Sequence, residues 1–463
     1  MTETQIKKFE AFAEKCMGEI DAVGMTVAVV DREGQTRYEK MFGVRDQKTG
    51  DPIDEDTIFG LASVTKSFTC LAIMQMAEDG ILSIDDPVSK YIPEFTGKNQ
   101  DEPVLIRHLM IHSGGYFPME RILINPVAQD LGLKESVDGD FAFNEVLAQE
   151  GCRLVATRMD AQTELIGKPG EYLSYFNDGY ALLSDIVYRH GDCNSFAEYL
   201  VKHILKPLGM ERSGCDFVKT AADPNHATLY EKIAGELTVM DYHDEAFVLN
   251  GGGAMKSTLR DMKKYLTMYL NHGKGLNGAV VAKPETIAEM TAPHQLYHYD
   301  SQYCFGLSEK TMNGHKVVGH SGSLPGVSSH IEWCDEIGLG VIVLCNTADM
   351  PSEAVAEAAM NLVMGYEPTN LRYDYEEASW TEEMMDAACG VYASGEGTTA
   401  ELYREAGKMM VKSGEQSYPV KMFASKWGLI RKEITDTFLE CIVDEERGVY
   451  GLRYGSRILP RKK

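Results

Sequence analysis

The sequence predicts an α+β protein. One antiparallel sheet is assembled from distant segments, helices flank it and form an inserted lobe, and a small all-β unit follows. Three observations lead there. Two strand patterns stand near the start of the chain, an unusually apolar helix begins at Ser63, and strand patterns return only after residue 300. Strands at both ends of a mostly helical region cannot be repeating βαβ units, so they must pair across it.

Each element has its own local reason. Residues 4–21 place Ile6, Phe9, Ala13, Cys16, Met17 and Ile20 at helical spacing, an amphipathic helix. Residues 25–31 and 35–44 read as strands, and Asp31-Arg32-Glu33-Gly34 between them suits an antiparallel hairpin. From Ser63 to about residue 79, Phe68, Leu71, Ile73, Met74 and Met76 cover nearly every face, which marks a buried central helix. Gly80 ends it. Residues 100–250 are mostly helical or irregular, including FNEVLAQE and a helix over 179–190. Another helix starts near Leu259, after the glycines 251–253. Strands are expected at 306–307, 316–320, 328–333 and 339–346, then a helix at 352–364.

A break in composition at 367–381, with Pro368, Asn370 and acidic residues, reads as a linker between a first domain at 1–366 and a second at 382–463. The second holds GVYAS, AELYRE, KMMVK, YPVKMF, WGLIR, TFLECIV and VYGLRY, short strands at near-regular spacing that suit a small barrel or sandwich. Trp427, Phe438 and Tyr450 are expected in its core.

Composition narrows the function classes. The net charge is −25 over 463 residues, and 376–463 holds fifteen acidic and thirteen basic residues, so the acidity sits on the first domain. Such a surface repels phosphate backbones and anionic headgroups, which argues against nucleic acid and membrane surfaces as partners. No run of about 18 apolar residues spans a membrane. The first twenty residues carry charges throughout and lack the apolar core of a secretory signal. Ten scattered cysteines without Cys-x-x-Cys read as reduced thiols, and together these features predict a cytoplasmic protein. The twelve histidines show no recognisable metal spacing. His108 and His112, four apart, lack an evident third ligand, so neither metal nor cofactor is expected.

The candidate chemistry starts at Ser63-Val64-Thr65-Lys66. A serine opening a helix has its hydroxyl at the positive end of the helix dipole, and position i+3 puts Lys66 on the same face. Burial disfavours the ammonium, lowers its pKa and lets it act as a base toward the serine. Alone, Ser-x-x-Lys is a short and common pattern. Tyr175-Phe176-Asn177 follows inside KPGEYLSYFNDGYALLSDIV, where a phenol can relay protons and an amide can donate to a substrate carbonyl. His320-Ser321-Gly322 stands in a strand pattern flanked by VVGH and SLPGVSSHIEW.

In these three motifs, and over about residues 20–365, the chain resembles the serine β-lactamase-like superfamily of penicillin-recognising hydrolases. The likeness is to class C β-lactamases, D-alanyl-D-alanine carboxypeptidases, D-aminopeptidases and related esterases. The resemblance implies the β-lactamase/transpeptidase-like sheet. It makes Ser63 the nucleophile, Lys66 and Tyr175 its proton relay and Asn177 a substrate ligand. It places His320, Ser321, Gly322 and Ser323 along the substrate, with Gly322 admitting it to the backbone and the N–H groups of Ser63 and Ser323 forming the oxyanion hole. IRHLMIHSGG, GGGAMKSTLRDM and YCFGLS match the family without obvious chemistry, and the second domain resembles the lipocalin-like domains appended to some members.

One departure carries weight. Penicillin-binding proteins and most β-lactamases have lysine where His320 stands, and histidine is charged only near or below about pH 6.5. The resemblance therefore points to a hydrolase of small esters, or of D-amino-acid amides or short peptides, ahead of β-lactams. Acyl transfer through the same acyl-enzyme, and β-lactamase or D-Ala-D-Ala carboxypeptidase activity, are the alternatives. A non-catalytic binding protein is disfavoured because Ser63, Lys66, Tyr175 and Asn177 are all intact.

Overall fold

A computed structural model describes residues 1–133, 145–242, 249–371, 375–432 and 434–462. The beginning of FNEVLAQE and residues 372–374 of the expected linker therefore lie outside the described residues.

The expected sheet is present. Eight antiparallel strands run in the order Thr36–Gly43, Gly24–Asp31, Leu339–Cys345, Val327–Cys334, His315–Leu324, Ser308–Met312, Ser301–Tyr303, Gln295–His298. The strand near the start thus pairs with one more than 300 positions later, Val27 opposite Val343. Both faces are covered, and side-chain alternation assigns them. Val27, Val29, Val341 and Val343 pack under the helices Glu3–Ile20 and Ser352–Met364. Ala28, Val30, Ile331, Ile342 and Leu344 face the other way, toward the helices Thr65–Glu78 and Leu259–Leu270. This is why Gly24–Asp31 is buried at every position.

The helix Thr65–Glu78 is buried from Thr65 through Met74, as its all-round apolar pattern predicts. It is preceded by a tight turn at Ala62–Val64 rather than beginning at Ser63 itself. Residues 306–307, expected as strand, are instead a turn. Gly306 has φ +66°, and a Cβ there would come within 2.5 Å of the Lys66 carbonyl. The turn between two sheet strands is thereby pressed against the helix Thr65–Glu78.

After the helix Glu382–Ala388 come the expected short strands, but among the described residues they do not close into one barrel. They form a four-stranded sheet beginning at Gly390–Ala393 and a five-stranded sheet ending at Arg457–Pro460. The first and last strands touch at a bridge between Tyr392 and Arg461. Trp427 is buried as expected. Tyr450 is not a core residue: its hydroxyl donates to the Ile166 carbonyl at 2.7 Å. Phe438 faces His298, ring centroids 5.7 Å apart, and lines the cavity that contains Ser63. These aromatic residues serve the contact between the two sheet systems, a role that their spacing within a strand cannot reveal. None of the ten cysteines forms a disulfide among the described residues. No helix among the described residues is long and apolar enough to cross a membrane.

Candidate active site

Ser63 sits where the strand Ile58–Gly60 turns into the helix Thr65–Glu78. Ala62, the residue before it, has φ +46°, a left-handed conformation that costs a non-glycine residue about 1 kcal/mol or more. The turn is held from several sides: Thr65 Oγ1 donates to the Ala62 carbonyl at 2.6 Å, and Met255 N–H donates to Thr65 Oγ1 at 3.0 Å. The strand His315–Leu324 crosses directly beneath. A Cβ on Gly322 would stand 2.2 Å from the Leu61 carbonyl and 2.4 Å from Ser329 Oγ, which itself donates to Leu61 O at 2.7 Å. Gly322 is therefore glycine because two backbones meet there, a reason different from the expected approach of substrate.

Lys66 has no exposed surface. Its Nζ lies 3.0 Å from Ser63 Oγ and donates to the Gly252 carbonyl at 2.7 Å. Burial, reinforced by the Arg457 guanidinium, pushes its pKa well below the usual lysine value. A neutral amine that gives one hydrogen to Gly252 keeps a lone pair for the serine. The carbonyl partner was not assigned any chemistry from sequence, although the run Gly251–Gly252–Gly253 marked the place. A Cβ on Gly251 would lie 2.4 Å from the Tyr180 carbonyl, so this segment packs on the helix Asn177–His190 at backbone distance.

Tyr175 and Asn177 arrive at the same cavity, of about 530 Å³, along with Ser63, Gly252, His320 and Ser323. Burial holds the Tyr175 phenol above its usual pKa, and a hydrogen bond with the Ser63 hydroxyl works in the opposite direction. Lys66 Nζ lies 4.8 Å from the Tyr175 ring centroid on one side, and Arg457 Cζ lies 5.1 Å from it. Ser321 lines the same cavity, but its hydroxyl is engaged with His330 Nδ1 at 2.8 Å and Glu353 at 3.2 Å.

His320 corrects the sequence expectation of a pH-dependent cation. It is 6% exposed, its Nδ1 is 2.6 Å from the Ser321 carbonyl, and its Nε2 is 2.9 Å from Tyr303 Oη. Burial, with the neighbouring Lys66 next in weight, drives its pKa down to about 3, so it is uncharged at any ordinary pH.

Sequence reasoning missed Arg457 and Glu396. Both come from the C-terminal sheets, and they are paired with each other. The segment carrying Tyr175 is tied to that region by hydrogen bonds. Tyr175 N–H donates to the Ser456 carbonyl at 2.8 Å, Ile458 N–H donates to Ser174 Oγ at 3.0 Å, and Arg453 donates to the Leu173 carbonyl at 2.8 Å. Arg453, paired with Glu440 at 2.8 Å, is itself buried. No motif announces a loop of this kind.

His108 and His112 do not converge on a metal. His108 Nδ1 accepts from the Leu105 amide, while His112 reaches Tyr303 and Phe176. Among the described residues one potential ligand group occurs, Asp192, Cys193 and His203, with Asp192 already bound to Lys202 and His203.

The chain is similar to several known proteins. A family model described as Beta-lactamase matches residues 9–364. Esterase EstB of Burkholderia gladioli is 29% identical over 375 residues, covering 74% of this chain and 90% of its own. Protein flp of Staphylococcus aureus (strain MW2) is 25% identical over 70% of the chain, which spans 59% of that protein's length. The octameric penicillin-binding protein homologue from Pyrococcus abyssi superposes with a TM-score of 0.68 at 26% identity, covering 99% of this chain and 100% of that one. SurE superposes with a TM-score of 0.73 at 18% identity over 99% of each chain, a likeness of fold. The strained turn at Ser63, the buried Lys66 and the family match over most of the chain lead to one assignment: this chain belongs to the beta-lactamase family.

Proposed function

We propose that the protein is a serine hydrolase that forms an acyl-enzyme on Ser63. The observation that carries the reading is the 3.0 Å contact between Ser63 Oγ and a fully buried Lys66 whose charge is disfavoured. In this reading Lys66 accepts the Ser63 proton as Oγ attacks an ester or amide carbonyl. The N–H groups of Ser63 and Ser323 receive the oxyanion, and Asn177 holds the carbonyl side of the substrate. Tyr175, kept protonated by burial, gives its proton to the departing alkoxide or amine and regains one from Lys66. Water then attacks the acyl group, its proton passing back along the same path, and Ser63 is released.

The preferred substrates are small esters, followed by D-amino-acid amides or short peptides, ahead of β-lactams. An uncharged His320 favours this order, because a β-lactam carboxylate at the strand His315–Leu324 meets no cation from that position. Likeness to Esterase EstB points the same way. Acyl transfer to an alcohol or amine uses the same intermediate, and product analysis with added acceptors separates it from hydrolysis. We place the protein in the cytoplasm, on ten scattered cysteines that form no disulfide among the described residues.

A fluorophosphonate probe is expected to modify the wild type and not Ser63→Ala. Equal labelling of both would sink the nucleophile assignment. A panel of p-nitrophenyl esters, D-amino-acid anilides and a chromogenic cephalosporin is expected to rank the esters or anilides first, and efficient cephalosporin turnover would overturn the substrate order.

A further inference from the structure

Two segments with no role in the chemistry above, IRHLMIHSGG and YCFGLS, meet behind Tyr175. His112 is 3% exposed, and its ring lies 4.1 Å from the Tyr175 ring, centroid to centroid, on the side away from solvent. Its backbone has φ +56°, a conformation kept only where the surroundings impose it. Tyr303 has no exposed surface, and its hydroxyl stands between two imidazoles, 3.1 Å from His112 Nε2 and 2.9 Å from His320 Nε2. Three polar side chains in an apolar interior are costly unless every hydrogen bond is made.

The direction of each bond can be worked out from one end. A carbonyl oxygen only accepts, so the 2.6 Å contact with Ser321 O puts a hydrogen on His320 Nδ1. A neutral His320 then has a bare Nε2, which accepts from the Tyr303 hydroxyl. Having given its hydrogen, Tyr303 Oη accepts from His112 Nε2–H. That leaves His112 Nδ1 bare, to accept the Phe176 N–H at 3.1 Å. Every donor has an acceptor, and the two histidines hold opposite tautomers. Adding a proton to His320 would reverse the string. Tyr303 would donate to His112 Nε2, His112 Nδ1–H would turn to the Phe176 carbonyl at 3.2 Å, and the Phe176 N–H would lose its partner.

We propose that His112, Tyr303 and His320 form a one-way string of hydrogen bonds that positions Tyr175 against Ser63 and withholds both His320 nitrogens from the substrate. The inference rests on the acyl-enzyme reading of Ser63. The charged and titratable groups facing the string oppose its protonation on balance. Lys66 and His330 act against a cation at His320, Lys66 and Arg457 act against one at His112, and Glu353 alone favours one at His320. His112 is a positioning residue because it reaches the reaction only through the Tyr175 ring. The specificity that follows is for acyl donors that need no hydrogen bond or charge from position 320.

The test reads the tautomers directly. In ¹⁵N-histidine-labelled wild-type protein, His112 and His320 are expected to stay neutral from about pH 5 to pH 9, His320 protonated on Nδ1 and His112 on Nε2. Loss of the Nδ1–H signal in His320→Gln and of the Nε2–H signal in His112→Gln assigns them. A His320 that titrates near its ordinary pKa, or a His112 in the Nδ1–H form, would overturn the proposal. Tyr303→Phe keeps the ring and removes both bonds. It is expected to lower kcat roughly tenfold or more with little change in KM, while the melting curve stays cooperative. An unchanged kcat in folded Tyr303→Phe would also overturn it. Wild-type protein that the fluorophosphonate does not label would instead fault the acyl-enzyme reading, leaving the tautomer result intact.

Discussion

The amide of Tyr175 donates to the carbonyl of Ser456, so the general-acid candidate is anchored by a turn from the C-terminal sheets. The next residue, Arg457, places its guanidinium beside the Tyr175 ring and is paired with Glu396. The two charges act on Lys66 in opposite directions, Arg457 lowering its pKa and Glu396 raising it. Because Lys66 must be neutral to accept the serine proton, its pKa sets the acid limb of kcat/KM. Arg457→Met is expected to move that limb to higher pH and Glu396→Gln to lower pH. A pH–rate profile of each variant on one ester substrate checks the pair, and shifts in the same direction would refute the electrostatic account.

Gly252 lines the cavity and Gly322 stands between two residues that do, Ser321 and Ser323, yet the two glycines predict different outcomes. A Cβ at 322 would collide with the Leu61 carbonyl at 2.2 Å, a backbone atom that cannot swing away. Gly322→Ala is expected to cost about 3 kcal/mol in urea unfolding and to reduce labelling of Ser63. At 252 a Cβ would meet Lys66 Nζ at 3.7 Å and Asn177 Oδ1 at 3.8 Å, ordinary contact distances. Gly252→Ala should therefore unfold at the wild-type urea concentration and keep its reactivity with the fluorophosphonate.

Asp178, next to Asn177, is 3% exposed and has an Oδ1 without a hydrogen-bond partner. Burial raises its pKa to about 7, with Glu396 adding to the effect. Between the ordinary carboxyl range and about pH 7 the folded protein holds a proton that the unfolded chain has lost. Stability falls as pH rises through that window. Asp178→Asn cannot ionise, so it should raise the melting temperature at about pH 8 and leave it nearly unchanged at about pH 4, at about 1.4 kcal/mol for each pKa unit of difference. Thermal melts at both pH values measure this directly, and equal shifts at the two would disprove it.

These cases show what a sequence can and cannot disclose. Ser63 and Lys66 are legible because one helical turn fixes their relation, and Tyr175 and Asn177 because they share one segment entering one helix. The sheet was legible because buried strands such as Gly24–Asp31 need partners, and apolar runs after residue 300 supply them. The charge of His320 was not, because it depends on burial and on the nearby Lys66, which only the folded chain brings about. Arg457 was hidden for a related reason. Its place is set by a hairpin docking on residues 173–175, and neither segment carries a periodicity that names the other. Gly306 and Gly322 were visible as glycines, but the atoms that exclude a side chain there belong to distant backbone.

The docking of Ser456 and Arg457 on Tyr175 also fixes an order of events. During synthesis Ser63 and Lys66 are made well before Ser456 and Arg457, the clamp on the tyrosine. A partly made chain can fold its nucleophile turn while the phenol opposite still lacks its anchor. Reactivity then waits for the strands that carry the clamp, and those strands act as its timer.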